Sequence, residues 1–174
     1  MTDVELFRIR IALVQAFLRE KNLDGILLSR ADNFAMATGG KRNYIWTYGD
    51  SGANSLFVDR GGKAYFVGNS IEEPRIMAEE LGPLGCDALS FLWFEGSPAE
   101  AVQRKFSGTF ASDDGALGEN VNGELAVLRA LLTEPELEKY RRLGRLAAEA
   151  MTNTISAIQP GMAEADIAAL LIAE

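Results

Sequence analysis

The sequence predicts an α/β layer fold, a mixed β-sheet flanked by helices, and three observations carry that prediction. Short apolar, β-rich runs alternate with stretches of helical periodicity through residues 1–132. Two of those runs, residues 53–59 and 64–68, flank Arg60-Gly61-Gly62-Lys63, the composition of a hairpin turn. Several helix starts carry their own capping chemistry. The hairpin requires an antiparallel pair, so the sheet is mixed; the strand order stays open.

In chain order, Thr2-Asp3-Val4-Glu5 is a capping box. Phe7, Ile11, Val14 and Leu18 follow at helical spacing, which predicts an amphipathic helix over residues 3–21. Gly25-Ile26-Leu27-Leu28-Ser29 reads as a strand buried on both faces. Asp32-Asn33 is placed to cap a short helix that Thr38-Gly39-Gly40 ends. After the hairpin, Ser70-Ile71-Glu72-Glu73 reads as a second capping box, with a helix to about Leu81 stopped by Gly82-Pro83. Residues 86–94 read as a further buried strand. Ser97-Pro98-Ala99-Glu100 opens a helix with proline where its missing N–H costs nothing. A short strand is expected near Thr109–Ser112 and a helix capped by Asn122 through Leu132.

The pattern changes at Thr133-Glu134-Pro135-Glu136, another capping box. From it one long helix is expected to about Ile158, with Leu137, Tyr140, Leu143, Ala147, Met151 and Ile155 along one side. Gly144 inside it costs about 1 kcal/mol relative to alanine. Pro160-Gly161 ends this helix, and a new one starts with Ile167, Leu170 and Leu171 on an apolar face. A long helix followed by another helix breaks the earlier rhythm, so two domains are expected, 1–132 and 133–174.

Composition narrows the function. The 174 residues are 48% hydrophobic and 24% charged, an ordinary globular mixture. A net charge of -8 disfavours nucleic acid and anionic membranes, both negatively charged. No apolar run reaches the length of a membrane span. The single cysteine, Cys86, allows no internal disulfide and reads as a small buried residue rather than a nucleophile. A cytoplasmic location is expected. The absence of histidine excludes Ser-His-Asp and Cys-His chemistry.

Few residues suggest a site. Asp113-Asp114-Gly115 has the look of a metal loop, but the further oxygen ligands of an EF-hand do not follow, and an Asp-Gly turn is the better reading. Glu72 and Glu73 favour a helix start, and Glu79 and Glu80 read as solvated. Gly39-Gly40-Lys41 lacks the phosphate-loop pattern and reads as a helix stop. Residues 39–52 (GGKRNYIWTYGDSG) stand out: Arg42, Tyr44, Trp46 and Tyr48 crowd a segment of no clear period between glycines. Aromatics with arginine are the composition of a contact surface. Arg42, Tyr44 and Trp46 are therefore the candidates for a substrate cleft or a subunit contact, against the alternative that Tyr44, Ile45 and Trp46 pack beneath the loop.

Four stretches together resemble the creatinase, prolidase and aminopeptidase P group of pita-bread metallohydrolases. Residues 23–28 (LDGILL) followed by 33–40 (NFAMATGG) look like that family's first strand and its N-x-x-x-x-T-G turn. Ile71-Glu72-Glu73-Pro74-Arg75 is similar to the helix after its hairpin. Leu128-Arg129 with residues 132–142 (LTEPELEKYRR) resembles the passage into its catalytic domain. Residues 158–164 (IQPGMAE) resemble the I-x-P-G-x-T-E step near that domain's start. Ala163 replaces the family's threonine, with a loss of about 1 kcal/mol in helix capping.

The resemblance implies a three-layer, creatinase-type N-terminal domain over 1–132 and the first helices of a catalytic domain from 133. It implies, for a longer protein, two divalent metal ions of the Mn, Co or Zn class held by two Asp, one His and two Glu beyond Glu174, and a short proline-containing peptide as substrate. No catalytic or metal-binding residue is expected in this chain. The N-terminal domain is expected to shape the substrate cleft and to take part in a homodimer. The alternatives are an assembly module whose parent lost its metal ligands, and a creatinase-like amidinohydrolase.

Overall fold

The computed structural model describes residues 1–45 and 48–174. These divide into two compact units, Met1–Leu131 and Leu132–Glu174. In the first unit six strands are described: β1 (Gly25–Arg30), β2 (Ser51–Asp59), β3 (Ala64–Asn69), β4 (Asp87–Phe91), β5 (Phe110–Ser112) and β6 (Glu119–Asn120). They form one sheet in the order β4-β3-β2-β1-β5-β6. β2 runs antiparallel to both neighbours, whereas β1, β5 and β6 are mutually parallel, as are β3 and β4. Five strands therefore end at one edge of the sheet, and β2 alone begins there. This is the mixed α/β sheet that the sequence predicts.

Helices cover both faces. Alternation along the strands sends Ile26 and Leu28 to one face and Leu27 to the other. The register keeps faces together: Leu28 pairs with Leu56, which pairs with Phe66. That first face packs on Phe7, Ile11, Val14 and Leu18 of α1 (Asp3–Glu20), on Phe34 and Ala37 of α2 (Ala31–Thr38), on Ile76 of α3 (Glu73–Ile76) and on Leu125 of α5 (Asn122–Ala130). The second face, with Leu27, Phe57, Tyr65 and Val67, packs on Ala101 and Val102 of α4 (Pro98–Lys105). Phe57 is the centre of this layer, its ring 4.8 Å from Phe106 and 5.6 Å from Phe110. Only glycine fits opposite it, because a Cβ on Gly25 would lie 2.4 Å from Phe57 Cζ.

Capping boxes form where the sequence places them at Thr2 and Ser97. The helix expected over 70–81 is different. Asn69 Oδ1, not Ser70, accepts the N–H groups of Ile71 (3.0 Å) and Glu72 (3.2 Å). Only Glu73–Ile76 is α-helical; Met77–Leu81 forms a π-helical turn and Gly82–Leu84 a 3₁₀ turn. The strand expected over 86–94 is shorter and lies at the sheet edge. β4 pairs with β3 alone, so Asp87, Ala88 and Ser90 are exposed, as are Leu92, Trp93 and Phe94 beyond it. Asp32 and Asn33 do not cap α2; they sit in its first turn behind Arg30, and Gly39 ends the helix with φ 73°.

The second unit contains α6 (Glu134–Ala157) and α7 (Glu164–Ala173). Thr133 N–H donates to the Glu136 carboxylate at 2.8 Å, half of the box that starts α6. α7 starts at Ala163 with no side-chain cap. Thr154 is the one buried residue among the described residues of this unit, and Tyr140, Leu143, Leu146, Met151 and Ile155 are exposed. No described helix is long and apolar enough to cross a membrane.

Candidate functional site

The segment 39–52 has a locked foot, and its described residues Tyr44, Ile45 and Tyr48 are exposed. The register of β1 on β2 jumps from Leu28↔Leu56 to Arg30↔Ser51, leaving strand backbone unmatched. Asn43 occupies that break. Its side-chain amide donates to Ser29 O (3.0 Å) and Asn54 O (2.8 Å), and the Asn43 backbone carbonyl accepts Ala53 N–H at 2.9 Å. Gly52 makes room, since a Cβ there would lie 2.2 Å from Asn43 Cγ.

Arg42 is held from the other side by Glu80. The Glu80 carboxylate is buried and accepts Arg42 N–H at 3.2 Å and Arg42 Nε–H at 3.1 Å. The expectation that Glu80 is solvated is thus corrected. The π-helical turn supplies the reason: its i→i−5 bond, Gly82 N–H to Met77 O, shifts the side-chain phase and turns Glu80 inward. Gly82 permits that bond, as a Cβ there would lie 2.2 Å from Met77 O. The rest of the Arg42 side chain is exposed.

Beyond this foot, Tyr44 and Ile45 are exposed and Tyr48 is 87% exposed. Trp46 lies outside the described residues. Arg42 is therefore anchored, and Tyr44 next to it is 38% exposed. The far leg is tied by Ala31 N–H to Asp50 O (2.8 Å) and by Arg30 to Asp50 (3.2 Å) and Asp32 (3.2 Å).

Sequence reasoning missed a second polar centre at the same sheet edge. Asp113 is buried, and its carboxylate accepts Ser29 N–H (2.8 Å), Arg30 N–H (3.0 Å) and Asn33 Nδ2–H (2.9 Å). Burial raises its pKa above the ordinary aspartate value, and these three donors partly oppose that. Asn33 also donates to Asn122 Oδ1 at 3.0 Å and accepts from Arg129, which reaches Asn122 at 3.1 Å. The Asp-Gly turn is real at Asp114-Gly115, but Asp113 belongs to the interior. The signal was its position directly after a short buried strand.

Three buried side-chain atoms near the loop foot, Asn43 Oδ1, Asn54 Oδ1 and Asn54 Nδ2, have no hydrogen-bond partner among the described residues. Cys86 is buried, and burial pushes its thiol up to about 12, the state of an inert thiol. No group of three acidic, cysteine or histidine side chains among the described residues is arranged to hold a metal.

No family model matches the sequence, and no curated protein matches it. Solved structures do match in fold. The chain is similar to dipeptidase PepE from Mycobacterium ulcerans, at 17% identity and a TM-score of 0.69, covering 99% of this chain and 50% of that one. It is similar to the prolidase from Pyrococcus horikoshii, at 14% identity and a TM-score of 0.67, covering 93% and 46%. An Xaa-Pro dipeptidase from Bacillus anthracis matches at 15% identity and a TM-score of 0.64, covering 95% and 47%. The chain thus shares a fold with Xaa-Pro dipeptidases and prolidases and spans about half their length.

Proposed function

We propose that this chain is the N-terminal, non-catalytic domain, with the first catalytic-domain helices, of a metal-dependent Xaa-Pro dipeptidase or aminopeptidase. The fold match to dipeptidases and prolidases over nearly the whole chain carries this reading. The motifs at Thr133–Glu136 and 158–164 support the placement of the second unit. The donor set of a two-metal site does not fit this chain, which has no histidine and no converging ligands among its described residues. The two divalent metals, of the Mn, Co or Zn class, are assigned to sequence beyond Glu174.

The role of this domain is then to wall the substrate cleft or to make a subunit contact, with Arg42, Tyr44 and Trp46 as the contact residues. The locked foot of the 39–52 segment and the exposure of Tyr44 and Tyr48 favour this role. A locked foot lowers the entropy lost when Tyr44 beside it is covered. A creatinase-like amidinohydrolase is the alternative for the parent.

The test has two parts. The coding sequence past Glu174 is read for two Asp, one His and two Glu in that order. The protein carrying them is assayed with Mn²⁺ or Co²⁺ on an Xaa-Pro dipeptide. Hydrolysis by the longer protein and none by the 174-residue chain is the expected result. Absence of the ligand set sinks the peptidase reading.

A further inference from the structure

Asn122-Gly123 is the one place in the sequence where asparagine precedes glycine. The pair opens α5 where the Asp113 network reaches solvent: Asn122 is half-buried and Gly123 is exposed. Glycine gives that peptide unit wide backbone freedom, and a Cβ at Gly123 would meet nothing within 4 Å. No side chain caps α5, so Gly123 N–H is one of the donors that helix geometry leaves without a partner. A bond from that nitrogen to Asn122 Cγ would close a succinimide ring.

The Asn122 side chain is held with its carbonyl polarised and its amide nitrogen free. Oδ1 accepts from Arg129 at 3.1 Å and from Asn33 Nδ2 at 3.0 Å. The orientation is fixed, because a guanidinium only donates. Asn33 is oriented in turn by giving its other N–H to the Asp113 carboxylate at 2.9 Å. Asp32, 3.6 Å from Arg129 Nε, steadies the guanidinium. Asn122 Nδ2 has no hydrogen-bond partner among the described residues. Two donors on a carbonyl oxygen, one of them cationic, stabilise the charge that gathers there when the carbon is attacked.

We infer that Asn122 is a self-modification site, deamidated in the folded protein by attack of the Gly123 nitrogen. The Gly123 N–Cγ bond forms, and negative charge gathers on Oδ1 between Arg129 and Asn33. The Cγ–Nδ2 bond then breaks, and ammonia leaves with the proton that Gly123 gave up. Water opens the succinimide. Addition at Cγ restores the ordinary backbone with an aspartate at position 122; addition at the backbone carbonyl gives isoaspartate, with the chain running through the side chain. Net, one water enters and one ammonia leaves, and no oxidant or reductant is needed. The aspartate form suits the site. Its carboxylate keeps both donors and places negative charge in the first turn of α5, where the helix dipole favours it. The isoaspartate form does not, because its extra backbone carbon lies inside the turn closed by Leu125 N–H on Val121 O at 3.1 Å.

Peptide mapping by mass spectrometry tests this, on the 174-residue chain incubated folded at mildly alkaline pH. Asn122 should exchange its side-chain NH₂ for OH at least about tenfold faster than Asn54 or Asn69, which precede serine. Gly123→Ala should suppress the exchange while keeping the far-ultraviolet circular dichroism, because alanine favours the helix and meets no neighbour there. Arg129→Leu should slow the exchange about tenfold in the folded chain and leave it unchanged in concentrated urea. Should Arg129→Leu misfold, Arg129→Lys provides the same test, with an intermediate folded rate. Asn122→Asp should fold as the wild type does and co-elute on anion exchange with the aspartate product. An Asn122 that stays intact in the folded chain while the urea-unfolded chain reacts overturns the inference. A folded rate that neither Arg129→Leu nor Arg129→Lys changes overturns the part given to the guanidinium. None of these outcomes touches the hydrolysis assay, so the peptidase reading stands or falls separately.

Discussion

The carboxyl edge of the sheet has two unlike halves. Beyond β1 and β5 every strand end runs into a closed polar network, with Asp113, Asn33, Asn122 and Arg129 satisfying one another in the interior. Beyond β2, β3 and β4 the connections instead hold apolar side chains out to solvent. The difference teaches which half serves the fold and which is free for something else. A buried carboxylate with three donors is costly to disturb, because each donor loses its partner away from water. An exposed Trp or Ile is nearly free to change as far as folding is concerned.

The sharpest way to break this contrast is Asp113→Ala. Two buried donors and one half-buried donor lose their acceptor, and a loss of about 3 kcal/mol is expected in urea unfolding. An unchanged midpoint would show that the network is not what holds this half. Asp113 also leaves a pH signature. Its folded pKa is raised, so the native state keeps a proton that the unfolded state has released. Its contribution to stability therefore falls as pH rises from the ordinary aspartate range through the raised value, and this slope should vanish in Asp113→Ala.

Glu80→Ala should cost less, about 1–2 kcal/mol, because one of its two partners, the Arg42 side chain, can turn to water. Its clearer effect should be local: amide exchange over residues 42–45 should speed up by an order of magnitude or more while β1 keeps its protection. Equal acceleration everywhere would contradict an anchoring role. Cys86 gives a third measure. The native thiol should resist iodoacetamide at pH 8 and react only on unfolding. Because its folded value is about 12 against an ordinary 9.0, stability should fall as pH climbs from about 9 to 12. The smallest effect is expected at Trp93→Ser, within about 0.5 kcal/mol of wild type by thermal melting.

Much of the architecture was legible because it rests on local rules. Thr2, Ser97 and Thr133 each announce a helix start within four residues, and the hairpin around Gly61-Gly62 is read from its turn. What escaped reading depends on partners distant in sequence. Asp113 meets Ser29 and Asn33 across some 80 residues, and Glu80 meets Arg42 across 38. Periodicity cannot distinguish an edge strand from a central one, so residues 86–94 read as buried when only β3 lies beside them. Arg42 and Tyr44 were visible as a composition. That one is anchored and the other presented follows from Asn43 and Glu80, neither of which stands out in the chain.

The π-helical turn at Met77–Leu81 stores the loop's anchorage in a counting register rather than in a side chain. Each residue advances a helix by about 100°. Removing one residue between Met77 and Leu81 would restore i→i−4 bonding without touching Glu80 itself, yet swing its carboxylate off the face that meets Arg42. A one-codon deletion on a surface helix would thus cut loose a loop nearly forty positions earlier, although every residue at the contact would still be present.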